Sequence, residues 1–314
     1  MEQYIKAALL RVIHKAIHQF VKPERIIQNP FVAGKVFPLQ EEGDYYILEK
    51  PLPNLQNKLA AGASPANASA TYAPAADTAI LAAPVPPPEL RMGYGDTEEG
   101  FLASGREHVG QMLEILAQAG EDSRSLSKVL ELGCATARML RFYPYHEGES
   151  ELWGVDIMAR NIAWCQQHLS PPLRFATTTT APHLPFEDNY FDLVYCGSVF
   201  THVSDLADAW FLELRRVLRP GGYMYITIHD RNSIDILLKD YRQSSTLVPL
   251  LEEMDTKTSI LSKEYASFSV NSDPYSQVFY DADYIIGKWS QFAGFVSKTE
   301  NAYGYQTALV FQKA

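Results

Sequence analysis

From residue 128 to residue 228 the sequence alternates short, almost unbroken apolar runs with amphipathic stretches. That alternation restricts the available folds more than any other feature. Lys128–Leu132, Glu151–Val155, Leu173–Ala176, Phe191–Cys196 and Tyr223–Ile228 read as strands. Ser104–Ala119, Thr136–Phe142, Met158–Leu169 and Leu206–Leu218 read as helices. Leu206, Trp210, Leu214, Val217 and Leu218 share one face, and Arg219-Pro220-Gly221-Gly222 ends that helix. Strands that are apolar throughout need cover on both faces, so repeated βα units predict an α/β doubly wound, mostly parallel sheet. Near the C-terminus, Phe295–Thr299 and Gln306–Phe311 flank Gly304 with no room for a crossover helix. They predict an antiparallel terminal hairpin on the sheet edge.

The first 90 residues differ in kind. Ile5, Ala8, Leu9, Val12, Ile13, Ala16, Ile17 and Phe20 form an apolar stripe at helical spacing over Tyr4–Phe20, and Pro23 ends it. Such a helix packs on the main domain, pairs with a second copy to give a homodimer, or lies on a membrane surface. Lys35–Phe37 and Tyr45–Leu48 around Glu41-Glu42-Gly43-Asp44 read as a β-hairpin. Residues 60–88 hold 12 Ala and 6 Pro with one charge, Asp77. Proline at that density blocks helix and ladder, so a flexible or surface-draped linker is expected. The expected organisation is therefore an N-terminal helix and hairpin extension over 1–59, an Ala/Pro-rich linker over 60–90, and one domain over 91–314.

Net charge is 27 − 37 = −10, and no basic run exceeds Arg215-Arg216, which argues against a nucleic-acid partner. Three cysteines, Cys134, Cys165 and Cys196, are too few and too scattered for a disulfide framework or a zinc site, so no metal is expected. No stretch approaches the ~20 apolar residues of a membrane span. No apolar run near the N-terminus leads to a cleavage site, so a cytoplasmic location is expected.

The chemistry concentrates where strands end. In Val129-Leu130-Glu131-Leu132-Gly133-Cys134-Ala135-Thr136-Ala137 a strand closes on an acid and a glycine turn. Doubly wound sheets place ligands outside the carboxyl ends of their strands, and Gly133 lets backbone approach a ligand closely. Asp156, twenty-three residues after Gly133, ends the next strand, where an acid can accept both hydroxyls of a ribose. These segments, with Leu184-Pro185-Phe186-Glu187-Asp188 before Phe191-Asp192 and with Arg216-Val217-Leu218-Arg219-Pro220-Gly221-Gly222, resemble the class I S-adenosylmethionine-dependent methyltransferases.

The resemblance implies a Rossmann-like seven-stranded sheet and S-adenosyl-L-methionine as cofactor. It implies that Glu131, Gly133, Cys134 and Ala135 face the methionine part, and Asp156 with Ile157 the ribose. Thr179 and Thr180 stand where many members carry an acid near the adenine, and Gly197 and Ser198 follow the fourth strand. Two departures are visible: Ala135 and Ala137 occupy positions where the family carries glycine, and Thr177–Thr180 supply no acid for the adenine. Ser198-Val199-Phe200-Thr201-His202 and Thr227-Ile228-His229-Asp230 resemble a type 11 or 12 branch associated with glycans and natural products.

A hydroxyl acceptor gains from a general base, and His202 and His229 each follow a strand at the ligand-bearing edge. His229 is placed ahead, with Asp230 to orient it or replace it. His202 has a second reading, packing or capping the next helix, whose N-cap is expected at Ser204. Tyr94, between Gly93 and Gly95, reads either as a lid over the cofactor or as a turn residue. The insertion at about 233–278, with Tyr241, Tyr265 and Tyr275, is where a substrate cover belongs. The expected activity is O-methylation of a small molecule (a sugar, glycoconjugate or other natural product). N- or C-methylation and a non-catalytic cofactor-binding subunit are the alternatives.

Overall fold

A computed structural model of the 314-residue chain describes residues 80, 82–120, 126–270 and 276–314. The expected helix Tyr4–Phe20, the hairpin at Lys35–Leu48 and most of the Ala/Pro-rich segment lie outside the described residues.

The core is a seven-stranded mixed sheet. Five parallel strands, β1 (Lys128–Leu132), β2 (Glu151–Asp156), β3 (Arg174–Thr177), β4 (Phe191–Cys196) and β5 (Leu218–Ile228), are joined by β9 (Gln306–Gln312) and β8 (Gly294–Tyr303), which run antiparallel. The order is β3-β2-β1-β4-β5-β9-β8. The chain leaves β1 toward β2 and later returns to its other side as β4, which puts the topological switch point between β1 and β4. All six residues of β4 are buried, as a strand covered on both faces requires.

Helices α1 (Glu98–Gln118), α2 (Ala159–His168) and α3 (Ala207–Val217) flank the sheet. One apolar layer gathers Val109, Met112, Leu116, Leu152 and Tyr225, and the other Trp210, Phe211, Leu214, Trp289 and Phe311. Each such side chain, fully buried, contributes about 1.5–3 kcal/mol. α1 starts six residues before the expected Ser104, because the Thr97 side chain accepts the Gly100 N–H and Glu98 and Glu99 complement the helix dipole. Its Gly105 lies so close to the loop after β1 that a Cβ there would sit 2.1 Å from the Arg138 carbonyl.

Three local expectations are corrected. Thr136–Phe142 is not a helix; only Leu140–Phe142 form a 3-10 turn. Ala135 and Ala137 adopt φ of +46° and +57°, and such alternation cannot continue a right-handed helix. The segment Arg219–Gly222 does not separate α3 from β5 but lies inside β5. Ser204 is not the cap of α3; Leu206 holds that position and supplies no side-chain bond.

Two of the family-like segments turn out to be scaffold. Arg216 donates to the Leu184 and Phe186 carbonyls, to Glu213 and to Asp188, which fastens the Leu184–Asp188 turn to α3. Arg219 pairs with Asp192 at 2.5 Å, and Asp192 also accepts the Ser127 and Lys128 N–H groups. That clamp sits at the amino ends of β1 and β4, opposite the ligand-bearing edge.

After β5 come α4 (Arg231–Asp240), α5 (Leu247–Thr258), the β6 (Ser267–Val270)–β7 (Gln277–Tyr280) pair, and α6 (Ala282–Trp289). Ile234, Leu237, Val248, Leu251, Phe268 and Phe279 give this insertion a small core of its own. It joins the sheet through a bridge between His229 and Phe279.

Candidate functional site

At the carboxyl ends of the parallel strands burial breaks in a line. Gly133, Ala135, Ile157, Thr179, Thr180, Gly197, Ser198 and Val199 are half-buried, while the strands leading to them are buried. This is the opening at the switch point, and Tyr94, also half-buried, stands beside it.

Gly133 takes φ +74°, and a Cβ on it would meet Val199 Cγ2 at 2.4 Å. The loops after β1 and β4 therefore touch there, and only glycine allows it. The Gly133 and Cys134 N–H groups donate to the Val155 carbonyl at 2.8 and 3.1 Å. Asp156 closes β2 with Oδ2 on the Ala135 N–H at 2.7 Å and Oδ1 on the Met158 N–H at 2.8 Å. Burial raises its pKa against the hold of the Met158, Ala135 and Ile157 N–H groups. A carboxylate so fixed keeps lone pairs for further donors, the requirement of a ribose diol.

Sequence-expected residues separate here. Glu131 does not reach the opening: its Oε2 accepts the Leu140 N–H at 3.0 Å and the Tyr195 hydroxyl at 3.1 Å inside the core. Burial pushes its carboxyl up to about 8. Cys134 contributes backbone only, since its Sγ faces Gly154, whose added Cβ would lie 2.8 Å away. Asp230 is not a free base; it caps α4, with Oδ1 accepting the Ser233 N–H at 3.1 Å. Thr179 Oγ1 accepts the Ala181 N–H, and the Thr180 carbonyl accepts from Trp210.

The two histidines have opposite surroundings. His229 is buried between the Phe279 and Tyr305 rings, at 4.9 and 5.4 Å, with neither ring nitrogen hydrogen-bonded. Burial, then the neighbouring His202, lowers its pKa to about 3, so it is neutral at physiological pH. His202 is exposed, and its Nδ1 lies 2.9 Å from the Ser276 carbonyl. The same Nδ1 lies 3.2 Å from the Gln277 amide nitrogen; the shorter contact, to a carbonyl that only accepts, favours a proton on Nδ1 and a lone pair on Nε2.

Gln306 and Tyr303, which local patterns did not single out, complete the edge around Gly197 and Ser198. Ser198, at φ +61°, donates its N–H to Thr227 Oγ1 at 2.7 Å. Thr227 donates to Gln306 Oε1 at 2.7 Å, and Gln306 Nε2 returns to Ser198 Oγ at 3.0 Å. Tyr303 packs on Gly197, where a Cβ would lie 2.7 Å from its ring. These contacts cross up to 108 residues of sequence, and no local signal marks them.

Residues 130–226 match the family model described as a methyltransferase domain. That stretch, β1 to β5, is a class I S-adenosylmethionine-dependent methyltransferase domain.

Among particular proteins, the chain is 34% identical to the Probable phthiotriol/phenolphthiotriol dimycocerosates methyltransferase 2 of Mycobacterium ulcerans, over 31% of this chain and 37% of that protein. It is 26% identical to the ubiquinone/menaquinone biosynthesis C-methyltransferase UbiE of Stutzerimonas stutzeri, over 54% of this chain and 62% of that one. Both alignments span less than two thirds of the relatives' own lengths. The 1,6-didemethyltoxoflavin-N1-methyltransferase structure from Burkholderia thailandensis covers 80% of this chain and 94% of its own, at 14% identity and a TM-score of 0.46. The finer resemblance to a glycan-associated branch finds no counterpart in these names. No helix among the described residues is long and apolar enough to cross a membrane.

Proposed function

We propose that the protein is an S-adenosylmethionine-dependent O-methyltransferase acting on a hydroxyl of a small molecule. The observation that carries the reading is the exposure of His202, with Nδ1 held at the Ser276 carbonyl, five residues past Gly197 at the carboxyl edge of the sheet. When bound, the cofactor supplies an electrophilic methyl group on a sulfonium.

The chain's own residues then have separate tasks. Asp156 accepts the ribose hydroxyls, and the Gly133–Ala135 backbone bounds the tail. Ile157, Thr179 and Thr180 flank the adenine side. Gly197 and Ser198, fixed by the Thr227–Gln306 network, form the floor on which an acceptor aligns. His202 takes the acceptor proton at Nε2, while the Ser276 carbonyl holds the imidazole's orientation. This places His202 ahead of His229, which is stacked in the cover's core and has no exposed edge to offer.

C-methylation is the second reading, favoured by the likeness to a protein named as a C-methyltransferase. The test is transfer of isotopically labelled methyl from S-adenosylmethionine to a panel of phenols, quinols, sugars and other alcohols, with products assigned by NMR. An O-methyl product supports the proposal and a C-methyl product replaces it. Cofactor binding without transfer to any acceptor would favour a non-catalytic binding subunit.

A further inference from the structure

We infer that Asp77 is the counter-charge of the buried Arg141, and that this pair fastens the Ala/Pro-rich segment, as a strap, to the loop after β1. Arg141 is 2% exposed and lies in the 3-10 turn Leu140–Phe142, eight residues after Gly133. Its Nη2 reaches the carbonyls of Ile80, Ala83 and Pro84 at 3.3, 3.0 and 3.3 Å. Nε and Nη1 are enclosed and have no hydrogen-bond partner. No ion pair among the described residues includes Arg141. Burial lowers its pKa, and the group that counters this is the Cys165 thiol, not a carboxylate.

A guanidinium stripped of water needs an anion or a full set of acceptors, and three carbonyls on one nitrogen give it neither. Because neither orphaned nitrogen meets solvent, the anion belongs to chain packed over the arginine. The chain that already lies there is the end of the Ala/Pro-rich segment. Ile80 is buried in the same layer as Met112 and Leu140. Further on, the Pro86 carbonyl accepts from Arg91, and the Leu90 carbonyl from Thr136 and Asn161. The segment is thus held to the domain at Ile80, Ala83, Pro84, Pro86 and Leu90.

The sequence then names the acid. Asp77 is the only carboxylate between Glu49 and Glu89, and it precedes by three residues the Ile80 whose carbonyl Arg141 holds. Three residues span at most about 10 Å, which keeps the Asp77 carboxylate near the guanidinium. Glu89 is exposed and faces Arg160 instead. A guanidinium fork with two vacant donors suits a carboxylate. The anchor ties the first 76 residues to the loop whose Gly133–Ala135 backbone lines the opening.

Urea unfolding of the full chain in a double-mutant cycle tests the pair. Asp77→Asn strands the buried charge and should lower the folding equilibrium constant by about a hundredfold or more. In an Arg141→Met background, which buries no charge, the same change should alter it by less than about threefold. A silent Asp77→Asn in the wild type, or an equal loss in both backgrounds, overturns the pairing. So does a loss produced by Glu121→Gln with Asp122→Asn, the acids between α1 and β1, and not by Asp77→Asn.

If Arg141→Met fails to fold, amide hydrogen exchange on the wild type and Asp77→Asn decides. In the wild type, amides of residues 77–83 should exchange at least about tenfold more slowly than those of residues 66–73, after correction for intrinsic rates. Asp77→Asn should abolish that difference. Protection absent from the wild type, or kept in the variant, sinks the proposal.

Discussion

The Asp156 carboxylate accepts the backbone N–H of Ala135 at 2.7 Å, so the acid that ends β2 also shapes the loop that follows β1. Two segments 21 residues apart thus form one binding edge. Asp156→Ala should weaken S-adenosylhomocysteine by about 1–3 kcal/mol, through lost ribose acceptance and a loosened loop. Unchanged affinity by calorimetry would remove Asp156 from the site.

Ala135 stands at φ +46°, in the left-handed region that costs an L-residue about 1–2 kcal/mol. Glycine removes that strain but adds about 0.5–1 kcal/mol of unfolded-state entropy. Ala135→Gly should therefore stabilise the protein by about 0.5–1 kcal/mol in denaturant unfolding. A less stable variant would mean that the loop does not hold this conformation.

Glu131 titrates from 4.5 in the open chain to about 8 when buried. Between those values the unfolded chain has released a proton that the folded one keeps, so stability falls as pH rises through the window. Glu131→Gln should remove that slope, since one amide oxygen can accept from Leu140 and Tyr195 as Oε2 does. Melting temperatures of both proteins from pH 4.5 to 8 test it: parallel curves would contradict the buried, proton-retaining state.

His229 moves the other way, from 6.5 down to about 3. The unfolded chain gains a proton as pH falls below 6.5, while the folded chain resists until about 3. Stability that His229 leaves intact above pH 6.5 is lost progressively toward 3. His229→Leu should flatten the acid limb of the stability–pH curve, whatever its absolute cost. The same variant should keep the pH dependence of methyl transfer, and a lost alkaline plateau would return His229 to the role of base.

Gln306 ties Thr227 to Ser198 inside the sheet edge, and Gln306 and Thr227 are both buried. Gln306→Ala should cost about 1–3 kcal/mol by leaving the Thr227 hydroxyl proton without an acceptor. Gln306→Glu, which keeps the acceptor, tests the bond rather than the space. If neither change is felt in unfolding, the network does not hold Ser198 in its left-handed conformation.

Much of this was written locally. Apolar runs of four to six residues demanded a two-sided sheet, and the short spacer around Gly304 demanded an antiparallel end. Gly133 and Asp156 were legible because strand ends carry ligands in such sheets. Two alanines at glycine positions were visible too, but not that both would be held at positive φ.

What the sequence by itself determined is the five parallel strands with most of their flanking helices, the antiparallel end, the strand-end glycine and acid, and the absence of a basic tract. The tertiary structure alone decided that Glu131 turns into the core, that Asp230 spends its carboxylate on a helix cap, and that His202 is exposed while His229 is not. It also set Arg138 against Tyr303, 165 residues away in the chain. The physical reason is range. Periodicity and turn chemistry act over a few residues, whereas a side chain's charge state and access to a ligand depend on which distant residues pack around it.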